Sequence, residues 1–209
     1  MSTNSSQNLP LLPFAAISAR TALWSAVTGV ALTLPTLYII NLLAVPPNPG
    51  QAAAAAARIS GIPLGMLALK AVIFMPFLEE CLYRGAILQL LRRRLPLWIA
   101  LLPPTFLFGI THLGFSAQNA VFAALAGLYF SWLAIRTGSL LASIICHGAV
   151  NLFVVFILRP LVSDPGANPS MLYQPLPLLM LAASVALLFL GVRQLQAESR
   201  PLAVIPAVA

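Results

Sequence analysis

The chain has 209 residues, 60% hydrophobic and 7% charged, with a formal net charge of +7 and a mean hydropathy of +0.96. A soluble domain of this length leaves roughly a third of its surface in water, far more than so few polar groups can cover, which excludes a soluble globular fold. The basic excess invites a nucleic-acid reading, but the arginines are dispersed between apolar runs, and that class is excluded as well.

The opening MSTNSSQNLPLLP is polar and then proline-broken, with neither the basic region nor the small-residue cleavage site of a secretory signal. Residues 1–19 are therefore expected to be a disordered cytoplasmic tail. Apolar runs follow at about residues 20–45, 62–91, 97–114, 117–136, 139–158 and 175–193, each long enough to cross a hydrocarbon core of about 30 Å. They are rich in Leu and Ala and lack the alternation of an outer-membrane barrel. The predicted fold class is all-α, a polytopic membrane helix bundle with about six transmembrane helices. A single domain covers residues 20–196, and residues 197–209 form a short cytoplasmic tail. No internal repeat of the kind found in inverted-repeat transporters is present.

The first run contains Pro35, read as a kink. The linker after it begins with prolines and continues as QAAAAAARI, which predicts a short helix on the non-cytoplasmic face. The connections RRRLP, GFSAQ and RTGS are short, so the second to fifth helices should be antiparallel neighbours. By contrast RPLVSDPGANPSMLYQP is long and proline-rich, a lid or a linker. With the N-terminus inside, Arg20, Arg92, Arg93, Arg94, Arg136, Arg193 and Arg200 fall on the cytoplasmic side, against Arg58 and Arg159 opposite. This positive-inside bias places both termini in the cytoplasm. Size and the lack of targeting signals predict an integral protein of a prokaryotic cell (inner) membrane. Cys81 and Cys146 lie within helices, in no metal-type spacing, and read as small hydrophobes.

Against this background the scarce charges stand out. Two of the four acidic residues are adjacent in the second run, in EECLYR. An ionisable group at the bilayer centre costs about 2.5–3.5 kcal/mol on insertion scales, so each needs a partner or a use. Glu80 and Arg84, four apart, share a helix face and can pair, cancelling much of their desolvation. Glu79 points about 100° away, without a local counter-ion; apart from Lys70 and Arg84, almost every basic residue lies at a helix end. The only two histidines are His112, beside Gly109 and Thr111 in the third run, and His147, stacked over Asn151 in the fifth.

At 1.5 Å per residue, Glu79 lies roughly 18 Å from Arg92, His112 about 25 Å beyond Leu95, His147 roughly 14 Å and Asn151 about 20 Å from Gly138. All four side chains are expected to meet in one polar cavity near mid-membrane, with Gly109, Gly114, Gly148 and Ala149 letting the backbones approach. A carboxylate in apolar surroundings is shifted toward general-base function near neutral pH. Imidazole and amide donors aimed at one point suit an oxyanion. Two imidazoles and a carboxylate are equally the ligand types of a catalytic zinc site, here Glu79, His112 and His147. A non-enzymatic peptide-binding or bacteriocin-immunity protein, and a proton-coupled transporter relaying through Glu79 and His112, are the competing readings.

Three motifs, EECLYR (79–84), FGITH (108–112) and HGAVN (147–151), occur in order on successive runs. Together, over about residues 62–158, they resemble the CAAX-protease and bacteriocin-processing (CPBP, or Abi) intramembrane endopeptidases. The resemblance implies that Glu79 and His112 activate a water, that His147 and Asn151 hold the tetrahedral oxyanion, and that Glu80 and Arg84 support the second helix. It also implies a membrane-associated peptide or protein substrate reached within the lipid bilayer. The absence of an H-E-x-x-H motif, and the origin of the histidines on different helices, favour a glutamate mechanism with no cofactor over zinc.

Overall fold

The computed structural model describes residues 14–46, 48–158 and 172–198. The initial tail to residue 13, the lid-or-linker segment with Arg159, and the last residues with Arg200 lie outside the described residues.

All regular structure among the described residues is helical. Helix α1 (Ala19–Leu42) starts at Ser18, whose hydroxyl accepts the Thr21 N–H at 2.9 Å. Pro35 sits inside α1 without ending it. Its inward face is lined with hydroxyls satisfied by carbonyls one turn back: Ser25 on Thr21 at 2.7 Å, Thr28 on Trp24 at 2.8 Å and Thr36 on Leu32 at 2.8 Å. Such residues are small and need no partner from another helix, so neighbours come close. A Cβ on Gly29 would lie 2.5 Å from the Cys146 carbonyl oxygen.

Helix α2 (Pro49–Ser60) contains the alanine run, as expected. Helix α3 is a continuous helical run over residues 64–92, α4 is Leu97–Thr111, α5 is Ala117–Thr137, α6 is Leu140–Leu158 and α7 is Pro175–Glu198. Helix α5 is capped by Ser116 and ends on Gly138, whose φ of 65° is the left-handed C-cap that glycine adopts without steric cost.

Four helices, α1, α5, α6 and α7, are long and apolar enough to cross a membrane. The other two runs differ from simple spans. Helix α3 carries Lys70, Glu79, Glu80 and Arg84 and is interrupted by two π-helical stretches. Helix α4 is broken at Leu101, ahead of Pro103 and Pro104, and ends at Thr111, three residues before the end of the expected run.

The core joins Tyr83 of α3, Phe108 of α4, Phe130 and Leu133 of α5, and Cys146 and Val150 of α6. Outside it, Leu, Ile and Phe side chains are widely exposed, including Phe189 and Leu179 of α7. On a soluble protein this surface would aggregate; a lipid environment covers it, and the protein is an integral membrane protein. One end of the bundle gathers Arg20, paired with Glu198 and Gln194, and Arg136, which donates to the Gln196 carbonyl at 2.9 Å.

Candidate active site

Helix α3 brings its charges inward by departing from α-helical geometry. Its π stretches are Leu69–Phe74 and Cys81–Ile87, flanking Glu79 and Glu80. Each π turn skips a carbonyl. At the first, the Met75 N–H reaches back to Lys70, and Pro76 has no N–H to offer the Ala71 carbonyl. That carbonyl is taken by Asn151 Nδ2 at 2.9 Å. At the second, the Leu88 N–H bonds to Tyr83, and the skipped Arg84 carbonyl accepts from Gln89 Nε2 at 3.0 Å. Two side-chain amides thus complete what the helix leaves open.

Arg84 is wholly buried and fully engaged. Nη1 donates to Glu80 Oε1 at 2.9 Å, Nη2 to the Gly127 carbonyl at 2.7 Å and Nε to Ser131 Oγ at 3.2 Å. Its guanidinium carbon lies 4.7 Å from the centre of the Phe108 ring, a cation–π contact in a desolvated setting. Gly127 is required here, because a Cβ would stand 2.8 Å from Arg84 Nη2 and 2.9 Å from Phe108 Cδ1.

Glu80 Oε1 also meets His147 Nδ1 at 3.0 Å. With Glu80 also the acceptor for Arg84, Nδ1 is the nitrogen that carries the proton, which fixes the tautomer and leaves Nε2 on the far side of the ring. The imidazole is clamped between Phe130, stacked at 4.7 Å, and the edge of Phe108 at 5.5 Å. Nε2 faces Glu79 Oε2 at 3.6 Å, too far for a direct hydrogen bond. Glu79 retains 21% of its side-chain exposure where Glu80 has none. One carboxylate is therefore structural and sealed, and its neighbour is open to a water or a substrate.

His112 caps the C-terminus of α4. Its Nδ1 donates to the Phe108 carbonyl at 2.8 Å, leaving Nε2 as a free acceptor, and its ring packs on Phe108 at 4.6 Å. Among the described residues no hydrogen bond or ion pair joins Glu79 to His112. The imidazole that Glu79 meets is His147, and His112 is linked to His147 through the Phe108 ring that touches both. The expected small-residue contacts divide as well. A Cβ on Gly109 would be 2.9 Å from the Ala120 carbonyl and one on Gly148 2.6 Å from the Val72 carbonyl, whereas Gly114 lies in the turn with nothing within 4 Å. Arg58 of α2 donates to the Gly114 carbonyl at 3.2 Å, which ties α2 to the turn carrying His112.

Among the described residues no three His, Cys, Asp or Glu side chains form a metal-holding group. Glu79, His112 and His147 are not gathered into such a group.

The supporting shell on α5, Gly127, Phe130 and Ser131, was not singled out from the sequence. Its signal is a glycine and a serine four residues apart on one face of an otherwise apolar helix.

A family model described as type II CAAX prenyl endopeptidase Rce1-like matches residues 50–153, from α2 through His147 and Asn151. The chain belongs to this CAAX-protease family. Comparison with curated proteins and with solved structures gives no match. As a family member the chain is of the intramembrane protease class, acting on membrane-associated protein substrates. Helix α1, to residue 42, and helix α7, from residue 175, lie outside the matched residues.

Proposed function

We propose that this protein hydrolyses a peptide bond of a membrane-associated protein or peptide, with Glu79 as general base and His147 as the donor to the developing oxyanion. The observation that carries this reading is the sealed network Arg84–Glu80–His147 set against the partly open carboxylate of Glu79. A water beside Glu79 gives it a proton as the oxygen attacks the scissile carbonyl. The carbonyl oxygen becomes an anion, to which a protonated His147 donates from Nε2. Glu80 supports that second proton by accepting from Nδ1. On collapse, the protonated Glu79 returns its proton to the leaving amine, so water is consumed and one acid and one amine are released.

His112, with Nδ1 committed to Phe108, offers Nε2 as an acceptor that orients the attacking water. Asn151 holds the Ala71 carbonyl and thereby sets the spacing of α3 and α6. One Nδ2 hydrogen is committed to that carbonyl, and the second is the one that would serve an oxyanion.

Purified protein in lipid nanodiscs, with a quenched membrane-anchored peptide library and mass spectrometry of the new termini, tests this reading. Glu79→Gln should lower cleavage by about 10²–10⁴, the span of general acid–base contributions. Undiminished cleavage by a folded Glu79→Gln protein would remove Glu79 from the mechanism.

A further inference from the structure

The two oxygens of Glu80 are served unevenly. Arg84 Nη1 donates to Oε1 at 2.9 Å, and His147 Nδ1 meets the same oxygen at 3.0 Å. The other oxygen, Oε2, is buried with no hydrogen-bond partner, on a side chain wholly shut off from solvent. An ionised carboxylate has about four acceptor sites, and a buried oxygen left unserved carries the full cost of its desolvation. Buried polar atoms are satisfied in nearly every native protein, so a donor within reach of Oε2 is significant.

Helix α6 brings two wholly buried side chains to this region, Ser143 and Cys146. The Cys146 thiol is a weak donor and is turned to α1, its Sγ 3.2 Å from where a Cβ on Gly29 would stand. Ser143 lies one turn before His147 on the same face of α6, and its hydroxyl comes close enough to the Glu80 carboxylate to interact with it. In the structure that hydroxyl donates to the Leu140 carbonyl at 3.0 Å. The bond is dispensable, because a carbonyl in the first turn of an α-helix already accepts the N–H four residues on. A serine hydroxyl rotates to suit its acceptor, so turning from Leu140 to Glu80 costs α6 no backbone hydrogen bond.

We propose that Ser143 is a positioning residue of the site: its hydroxyl, turned from the Leu140 carbonyl to Glu80 Oε2, locks the carboxylate that orients His147. The inference deepens the reading of His147 as the oxyanion donor and rests on it. With Arg84 and His147 both on Oε1, the carboxylate is held at one oxygen only. A donor on Oε2 fixes the plane of the group, and with it the direction from which Oε1 faces Nδ1. Because Ser143 and His147 belong to the same helix, α6 sets both the imidazole and the bond that steadies its partner. Ser143 acts through Glu80, touching neither substrate nor the reacting proton.

The test uses the full chain in lipid nanodiscs. Ser143→Ala should lower kcat for a membrane-anchored peptide by about tenfold with KM unchanged, the size of a lost hydrogen bond to a charged acceptor. Ser143→Thr, which keeps the hydroxyl, should restore most of the rate. In parallel, NMR of isotope-labelled histidine reads the His147 Nδ1–H proton without turnover; its signal should shift in Ser143→Ala and return in Ser143→Thr. The second readout separates this inference from the reading beneath it. If Glu79→Gln leaves cleavage undiminished, that reading falls, and the His147 signal alone decides whether Ser143 holds Glu80. A folded Ser143→Ala protein with wild-type kcat and an unmoved His147 signal would overturn the proposal, as would a loss of rate that a folded Ser143→Thr protein does not repair.

Discussion

The molecule contains two arginine–carboxylate pairs of nearly equal length in opposite settings. Arg84 and Glu80 meet at 2.9 Å with both side chains wholly buried. Arg20 and Glu198 meet at 3.1 Å where α1 and α7 end, with side-chain exposures of 59% and 23%. At the exposed pair, water competes for every donor and acceptor, and Glu198 is held as much by the hydroxyls of Ser18 and Thr21, each at 2.7 Å, as by Arg20. At the buried pair no solvent is available, and Gly127, Ser131 and His147 supply further partners to Arg84 and to Glu80 Oε1. The lesson is that burial turns an ion pair into a positioning device: Arg84 holds Glu80 in place, and Glu80 Oε1 in turn fixes the orientation of His147.

The contrast can be broken most severely at Arg84. Arg84→Met leaves Glu80 buried without its cation and should destabilise the protein by about 3–5 kcal/mol in denaturant unfolding from detergent micelles. Adding Glu80→Gln to that variant should recover part of the loss, since the stranded charge is then removed; a double variant worse than Arg84→Met would contradict the pairing. Next in size is Gly127→Ala, whose new methyl meets Arg84 and Phe108 and should cost about 1–3 kcal/mol in the same assay. Asn151→Ala removes the donor to the Ala71 carbonyl and should cost about 1 kcal/mol, with hydrogen exchange rising around the first π turn of α3. At the exposed end, Glu198→Gln should leave the unfolding midpoint unchanged, and a shift comparable to that of Gly127→Ala would erase the distinction between the two pairs.

Much of this was legible in the sequence, for identifiable reasons. The Glu80–Arg84 pair follows from four-residue spacing in an apolar run, and the helical bundle follows from runs that match bilayer thickness. The short helix in the alanine segment was also readable. The path of α4 was less so. Pro103 and Pro104 break it early and Gly114 lies in the turn, so His112 is a helix cap instead of an interior residue. The bond from Asn151 to Ala71 was hidden because it depends on a π turn, although Pro76, which lacks the donor, marks where a carbonyl goes free. The convergence of Glu79 and His147 was expected from their depths, but that His147 and not His112 is the imidazole beside Glu79 depends on how far α6 leans over α3, a tertiary quantity that spacing along one helix does not contain.

The most direct test of the account is a kinetic cycle at that encounter. Rates of peptide hydrolysis would be measured for Glu79→Gln, His147→Ala and the double variant, each shown to be folded by the unfolding assay above. If the two side chains act as one unit, the double variant should be about as slow as the slower single variant. Losses that multiply would show that Glu79 and His147 work independently, and would contradict the arrangement described for this site.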